Sequence, residues 1–333
     1  MAILAANVLT LMDWAKRLDP DGKIAMIVEM LSQTNEILED MIFVQGNLPT
    51  GHRSVIRTGL PLVFWRLFNQ GVVPSKSRTA QVDEGCGMLE AWSEVDCDLA
   101  MLNGNTAEFR LSEARAYIEA MNQEMAQTVF YGNSSISPEE FNGLAIRYSS
   151  LSAANAQNIV DAGGTGSDNS SIWLICWSDQ TCFGIFPKGS TAGLDHEDLG
   201  KETKENAGGV TGALLRVFRD KWQWKLGIVL KDWRYVVRIC NLDISNLVAD
   251  SSAANITKQM IKALHRIPNI RMGKTAFYMN RSLIEYLDIQ RLASVTSGGG
   301  LTFENVDGKL IYSFRGIPIR TCDALLETEA RVT

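Results

Sequence analysis

Apolar positions across residues 11–44 recur at helical spacing, with a break at Pro20-Asp21-Gly22. Past the break, Ile24, Ile27, Val28, Leu31, Leu38, Met41 and Ile42 mark one side, while Met26, Met30 and Ile37 fall on others. A helix that is apolar around its circumference does not lie on a free surface. Two readings fit: a core helix, or an arm that docks on a neighbouring subunit. Gly46-Asn47-Leu48-Pro49-Thr50-Gly51 ends this stretch with turn chemistry, and the period then changes. Residues 54–58 and 63–68 read as strands, 70–77 as a loop, and 79–82 and 88–95 as strands again. No helical pattern covers the block 50–97, and an isolated hairpin is marginal in water. The block therefore packs on the rest of its own chain or on another chain.

Residues 105–130 carry the clearest helical pattern. Asn105 and Glu108 form a capping box at its start. Leu111, Ala114, Ile118, Met121, Met125 and Thr128 mark one seam, with Glu113, Arg115, Glu119, Gln123 and Glu124 opposite. At 1.5 Å per residue, ~25 residues span roughly 37 Å, against a usual helix length of about 11–12 residues. A spine helix crossing a sheet fits better than a coiled coil, which needs more clean heptads. The pattern breaks at Gly132-Asn133, and Pro138-Glu139-Glu140-Phe141-Asn142-Gly143-Leu144 comes next.

Beyond this point, 162–171 (AGGTGSDNSS) reads as a flexible loop. A phosphate cradle needs a helix after the glycines, and Ile172-Trp173-Leu174-Ile175-Cys176-Trp177 reads as a strand. Residues 172–177 and 183–186 form a hairpin candidate. Residues 188–209 are polar and glycine-spaced, as solvated loops are. Trp222, Trp224, Leu226 and Ile228 alternate, as do Trp233, Tyr235, Val237 and Ile239, around a turn at Lys231-Asp232. Residues 253–266 are helical and 275–279 a short buried strand. Ser282 with Glu285 offers a capping box for a helix through Arg291. The SGGG at 297–300 is a flexible loop. Residues 302–306 and 309–314 flank Asp307-Gly308, a type I′ hairpin signature, and Pro318 implies an edge position for the strand around it.

Composition narrows the function. The 333 residues are 46% hydrophobic and 21% charged, enough for a sizeable core in one elaborate domain or two to three lobes. The formal net charge is -6 with no long basic run, which argues against tight nucleic-acid binding. Cys86, Cys97, Cys176, Cys182, Cys240 and Cys322 form no CxxC pair and read as reduced thiols of an intracellular protein. His52, His196 and His265 are scattered away from any cysteine pair, so no zinc site is expected. No signal peptide and no apolar run of about 18 residues is present, so no spanning segment is expected, and the protein is placed in the cytoplasm.

Candidate chemistry is sparse. Asp195-His196-Glu197-Asp198 brings a histidine beside several carboxylates, where acid–base or hard-metal chemistry is conceivable. Adjacent residues on an extended chain point apart, however, and no second cluster completes the shell. Trp222, Trp224 and Trp233 raise a sugar-binding face, although aromatics more often fill cores. Walker, GxSxG, HExxH and dinucleotide signatures are absent. No catalytic, cofactor-binding or metal-binding residue is therefore predicted. Unpartnered strands together with empty chemistry favour an assembly protein.

A long helix ending in an aromatic-Gly-Asn turn and a PEEFNGL segment resembles the spine helix and following turn of tailed-phage major capsid proteins. KTAFYMNRSLIEYL (274–287) and FRGIPIRTCDALLETEA (314–330) resemble axial-lobe and C-terminal segments of the same proteins. LPTGHRSVIRTGLP (48–61), CGMLEAWSEVD (86–96) and NQEMAQTVFYGN (122–133) are similar to those of short-tailed phages of the Bordetella phage type. The resemblance implies an α+β chain of the Hong Kong 97-type capsid fold, with spine helix, peripheral and axial lobes, extended β loop and N-arm. It divides the chain into 1–47 as N-terminal helical arm, 48–100 as extended β loop, and 101–150 as peripheral lobe with the spine helix. Residues 151–221 form a loop-rich β segment, 222–252 peripheral-lobe strands, 253–300 the axial lobe and 301–333 a C-terminal β segment.

The implied function is a shell subunit that forms hexamers and pentamers of an icosahedral head around double-stranded DNA, assembled in the host bacterial cytoplasm. Implied partners are other copies of the chain, a portal protein, a cement or decoration protein and, by non-specific contact only, the packaged DNA. No membrane contact, enzymatic activity or cofactor is implied. The chain shows no charged coiled-coil prefix, so a separate scaffolding protein is expected. No lysine and asparagine align with isopeptide cross-linking, and none is expected. The alternatives are an encapsulin-like compartment shell and a metal-dependent enzyme using residues 195–198.

Overall fold

The computed structural model describes residues 32–102, 106–205, 211–248, 255–293, 301–306 and 309–333. The predicted helix over 11–31, the Asn105 cap, the 297–300 loop and Asp307-Gly308 lie outside these residues. In chain order the elements begin with α1 (Ile37–Asp40), β1 (Phe43–Gln45), β2 (Gly51–Gly59), β3 (Arg78–Gly85) and β4 (Gly87–Asp96). Next come α2 (Cys97–Met101), α3 (Thr106–Tyr131), α4 (Leu144–Arg147), β5 (Ile159–Asp161), β6 (Asn169–Trp177) and β7 (Cys182–Phe186). Then β8 (Leu194–Glu205), β9 (Leu214–Leu230), β10 (Val236–Asp243), α5 (Ile244–Val248) and α6 (Ile256–Leu264) continue the chain. β11 (Lys274–Met279), α7 (Arg281–Ala293), β12 (Leu301–Val306), β13 (Lys309–Phe314) and β14 (Ile317–Thr321) complete the series. The chain is α+β, in two compact units: Met1–Gln33, Met88–Met125 and Gly193–Lys225 in the first, and Thr34–Gly87, Ala126–Ala192 and Leu226–Thr333 in the second.

In the first unit β8 pairs antiparallel with the early part of β9, from Leu194 opposite Trp224 to Glu205 opposite Leu214, and β4 flanks β9. The α3 helix packs on one face of this sheet, where Tyr117 stacks on Trp222 at 5.2 Å and Phe109 joins Val95, Cys97, Ala100 and Phe218 in a small core. The other face carries a cross-strand charge network. Arg219 donates to Glu94 at 2.6 Å and also pairs with Glu202, and Lys221 lies 3.5 Å from Glu90. A long polar strand of this kind reads as a loop in the sequence, and residues 188–209 are corrected accordingly. β8 occupies 194–205, with a bulge between Asp198 and Gly200 that the left-handed Gly200 (φ 71°) absorbs.

The second unit is organised by β6, buried at every position. Pairing runs β12-β13-β14-β11-β6-β10-β5. One face of β6 presents Ile172, Leu174 and Cys176 to a core that includes Ile256, Met260 and Ala263 of α6, Leu283 and Leu287 of α7, and Phe277 and Phe314. The other face presents Trp173 to Phe130 at the end of α3 (6.0 Å) and to Tyr148 (5.9 Å, edge-on). A strand covered on both faces reads as a continuous apolar run, as the IWLICW of residues 172–177 does here. Asn169, Ser170 and Ser171 belong to this buried strand and not to the preceding loop.

Several further expectations are corrected by pairing that is not local. Residues 172–177 and 183–186 do not form a hairpin, and β6 and β7 meet only through Trp177 and Cys182, because β10 and β11 occupy the edges of β6 while β1 and β9 occupy those of β7. Trp233 and Tyr235 sit in a 3₁₀ turn capped by Asp232, so the second alternating strand begins at Val236. Pro318 lies near the start of β14, which is interior, pairing with β13 through Ser313–Pro318 and with β11 from Ile319 onward. Asn280, not Ser282, caps α7, its Oδ1 accepting from Ser282 N at 3.2 Å. Met41 and Ile42 lie past a single helical turn, and Phe43 already begins a strand. Residues 63–68 are not a strand. The hairpin 301–314 stands as expected, with Val306 opposite Lys309.

The seam on α3 is also different in its first half. Phe109, Met121, Met125, Val129 and Phe130 are buried, while Leu111 and Ile118 stay 55% and 44% exposed. One stripe is thus left open over the first half of the helix and covered by its own chain over the second.

Candidate assembly interface

β2 and β3 form a two-stranded antiparallel hairpin, from Gly51 opposite Gly85 outward to Gly59 opposite Arg78. Its base is anchored. Gly46 N donates to Phe186 O at 2.8 Å, and Arg53 and Asn47 exchange hydrogen bonds at 2.7 and 2.8 Å. Arg147 grips both oxygens of Glu84 and donates to Asn142 O at 3.1 Å. Arg53 forks onto Asp83 with two bonds of 2.6 Å, and this hydrogen bonding holds Asp83 below the ordinary carboxylate range.

Beyond Gly59 the chain leaves the sheet, and residues 60–77 have no regular pairing. Leu60, Leu62, Val63, Phe64, Leu67 and Val73 are exposed, Phe68 is 95% exposed and Trp65 fully so. Scattered apolar side chains on a surface are ordinary, but a contiguous aromatic and aliphatic cluster marks a contact surface. Between Met41 and Val82 the chain carries Arg53, Arg57, Arg66, Lys76 and Arg78 and no Asp or Glu. In a chain of net charge -6 this arm is locally basic, a signal that the whole-chain charge conceals.

The turn after α3 has a geometric reason for its residues. Gly132 N closes on Thr128 O at 2.9 Å, and Gly143 N donates to Gly132 O at 2.8 Å. A Cβ on either glycine would lie 2.7 Å from Thr128 O, so the crossing of these segments admits glycine alone. Asn142 Oδ1 accepts from Ser134 N and Oγ at 3.1 and 2.9 Å, and Glu140 accepts from Asn133 N at 3.3 Å. Pro138–Leu144 is therefore a self-bonded clasp, and Arg147 ties it to the base of the arm.

The candidate chemical groups fall elsewhere. On β8, His196 and Asp198 share the α3 face. His196 stacks on Trp222 at 5.0 Å and its Nε2 lies 3.1 Å from Asp220, while Arg110 bonds Asp198 at 2.7 Å and Asp220 at 2.8 Å. The Arg110 hydrogen bond lowers the Asp198 pKa. Trp222 is 2% exposed, held between the Tyr117 and His196 rings. Trp233 belongs to the other unit, in the 3₁₀ turn that Asp232 caps. Among the described residues no cluster of three or more His, Cys, Asp or Glu could hold a metal ion, and no helix is long and apolar enough to cross a membrane. All six cysteines are free thiols; burial pushes Cys86 up to about 11 and Cys182 up to about 12.

The described parts are thus a sheet strand covered on both faces, a long helix and a hairpin with an exposed apolar tip. The chain matches a chain of the bacteriophage epsilon15 cryo-EM structure at 33% identity, over 100% of both chains, with a TM-score of 0.79. The bacteriophage JBD30 capsid is a more distant likeness, 8% identical over 89% of this chain and 92% of that one, with a TM-score of 0.45. The SrpI encapsulin complex from Synechococcus elongatus matches at 11% over 70% and 96%, with a TM-score of 0.42. No curated protein matches. The fold is of the Hong Kong 97 type. The model of the family described as major capsid protein GP7 matches residues 19–333, and the chain belongs to that family. It is a tailed-phage major capsid protein, a self-associating subunit of the virion shell, and the encapsulin-like alternative is not favoured.

Proposed function

We propose that copies of this chain form the hexamers and pentamers of an icosahedral head enclosing double-stranded DNA, each hairpin arm lying on a neighbouring copy. The observation that carries this reading is the exposed tip at 60–73 on an anchored hairpin: an apolar surface of that kind is stable in water only when covered. The Leu111–Ile118 stripe of α3 offers exposed apolar area that an apolar arm tip could cover.

Within this reading residues 1–47 are the N-terminal arm, 48–100 the extended loop, 101–150 and 222–252 peripheral-lobe elements, and 253–300 the axial lobe. Assembly takes place in the host cytoplasm with a separate scaffolding protein. A portal protein and a decoration protein are the further partners, and packaged DNA is touched non-specifically. The chain has no catalytic role.

Expression of the chain alone, size fractionation and negative-stain electron microscopy test the reading. Rings or closed shells are expected. A clean monomer that persists after the neighbouring phage genes are added overturns it. His196→Ala should leave assembly unchanged, and a turnover lost with that substitution would favour an enzyme instead. Tryptophan fluorescence should stay flat through a sugar titration, since Trp222 is already sandwiched.

A further inference from the structure

Residues 322–333 form no helix or strand of more than a bridge, yet they bury Leu325, Glu329 and Val332. The segment crosses the second unit from one side to the other. Asp323 exchanges two 3.0 Å bonds with Thr34, and Leu325 O accepts from Asn280 at 2.7 Å. Glu329 N donates to Asn169 O at 2.8 Å. Val332 and Asn241 exchange bonds of 2.8 and 2.9 Å, and Thr333 O accepts from Leu151 N at 3.1 Å.

At the centre lies a buried charge. Arg238 on β10 is 4% exposed and packs over the Trp173 ring at 5.2 Å. Its guanidinium donates to Tyr148 O at 2.9 Å, to Ser171 at 3.1 Å and to Glu329 at 2.7 Å, and Glu329 is itself 6% exposed. The Ser171 and Tyr131 hydroxyls also bond Glu329. An arginine cannot shed its charge to suit a dry site, and a buried cation that lacks its carboxylate is strongly destabilising. Every element that Glu329 joins, from α3 through β6 to β10, is synthesised before it.

We infer that residues 322–333 are a closing latch: the second unit closes around Arg238 only once this segment has been made and has docked. Until then Arg238 must keep its water, and β6 and β10 cannot dry their shared face. Chains in which residues 322–333 have not yet been made or docked therefore stay open and are kept out of larger assemblies. The latch itself does not depend on the shell reading; only its consequence for assembly does.

The test holds the full chain on the ribosome through an extension placed after Thr333. In one version the extension is too short for residues 322–333 to clear the exit tunnel, and in the other it is long enough. Limited proteolysis of the second unit is then compared. Protection is expected only with the long extension, at least tenfold slower cleavage than with the short one. Equal protection with the short extension overturns the latch. Glu329→Ala in the long version should lose the protection, whereas Arg331→Ala, at an exposed position, should keep it. Full protection of the Glu329→Ala chain overturns the assignment of Glu329 as the closing residue. The readout needs no shell, so its outcome is separate from that of the assembly experiment.

Discussion

Two apolar stretches of this chain meet opposite fates. β6, NSSIWLICW, is buried on both faces by its own chain. Residues 60–73, LPLVFWRLFNQGVV, are just as apolar and stand in solvent. The difference lies in the neighbours each backbone finds. β6 has β10 and β11 on its two edges and helices behind one face. The arm tip begins past Gly59, where the ladder slips, and among the described residues no strand pairs with it. Hydrophobicity thus reports a demand for cover, while topology decides whether the same chain or another copy meets it.

Substitutions can break this contrast from either side. Trp173→Ala in β6 should cost roughly 3–5 kcal/mol, read as a large drop in melting temperature or failure to fold. The tip should respond oppositely. Trp65→Asp with Phe68→Asp should abolish shells, or raise the concentration needed for assembly by about 30-fold, corresponding to roughly 2 kcal/mol for a buried aromatic anchor, while the melt of the free subunit stays unchanged. A lowered melt with normal shells would mean that the tip is covered by its own chain. Glu84→Gln leaves Arg147 half-paired at the base of the arm and should cost roughly 1.5 kcal/mol by the worth of a charge-assisted bond, measurable by denaturant titration.

The smallest effect is the share of the pH dependence that Asp198 carries in the first unit. Arg110 and the Gly200 amide hold Asp198 below its ordinary value. Its stabilisation is therefore present above the unfolded pKa and fades as pH falls through the lowered folded one. Melts taken downward from neutrality should show a loss that Asp198→Asn makes slightly smaller and salt weakens. A slope of the opposite sign would contradict the Arg110 pairing.

Where the sequence could be read, the cause was local. The end of α3, the 301–314 hairpin and strand β11 arise from period and turn residues within a short window. The uncovered stretch 60–77 lies in the block 50–97, which was visible because no helical pattern accompanied it. What stayed hidden was set by distant partners. β8 is charged along its length because it lies on the edge of its sheet with one open face, a composition that loops share. The α3 seam was read as covered along its whole length because Leu111 and Ile118 are as apolar as Met121 and Met125, and periodicity does not say how far along the helix the chain itself will cover it. Arg238 and Glu329 lie 91 residues apart, with no spacing rule to join them. The basic arm was legible as a run without carboxylates, and net charge over the whole chain averaged it away.

The exposed tip also ties the fate of each copy to the number of copies present. Where few chains have been made, every arm stays bare, a ready target for proteases and for stray apolar contacts. Where many are present, mass action covers the arms and stabilises the folded subunit along with them. Abundance is in that sense part of this protein's stability, and a host that merely slowed its synthesis would weaken each molecule as well as reduce their number.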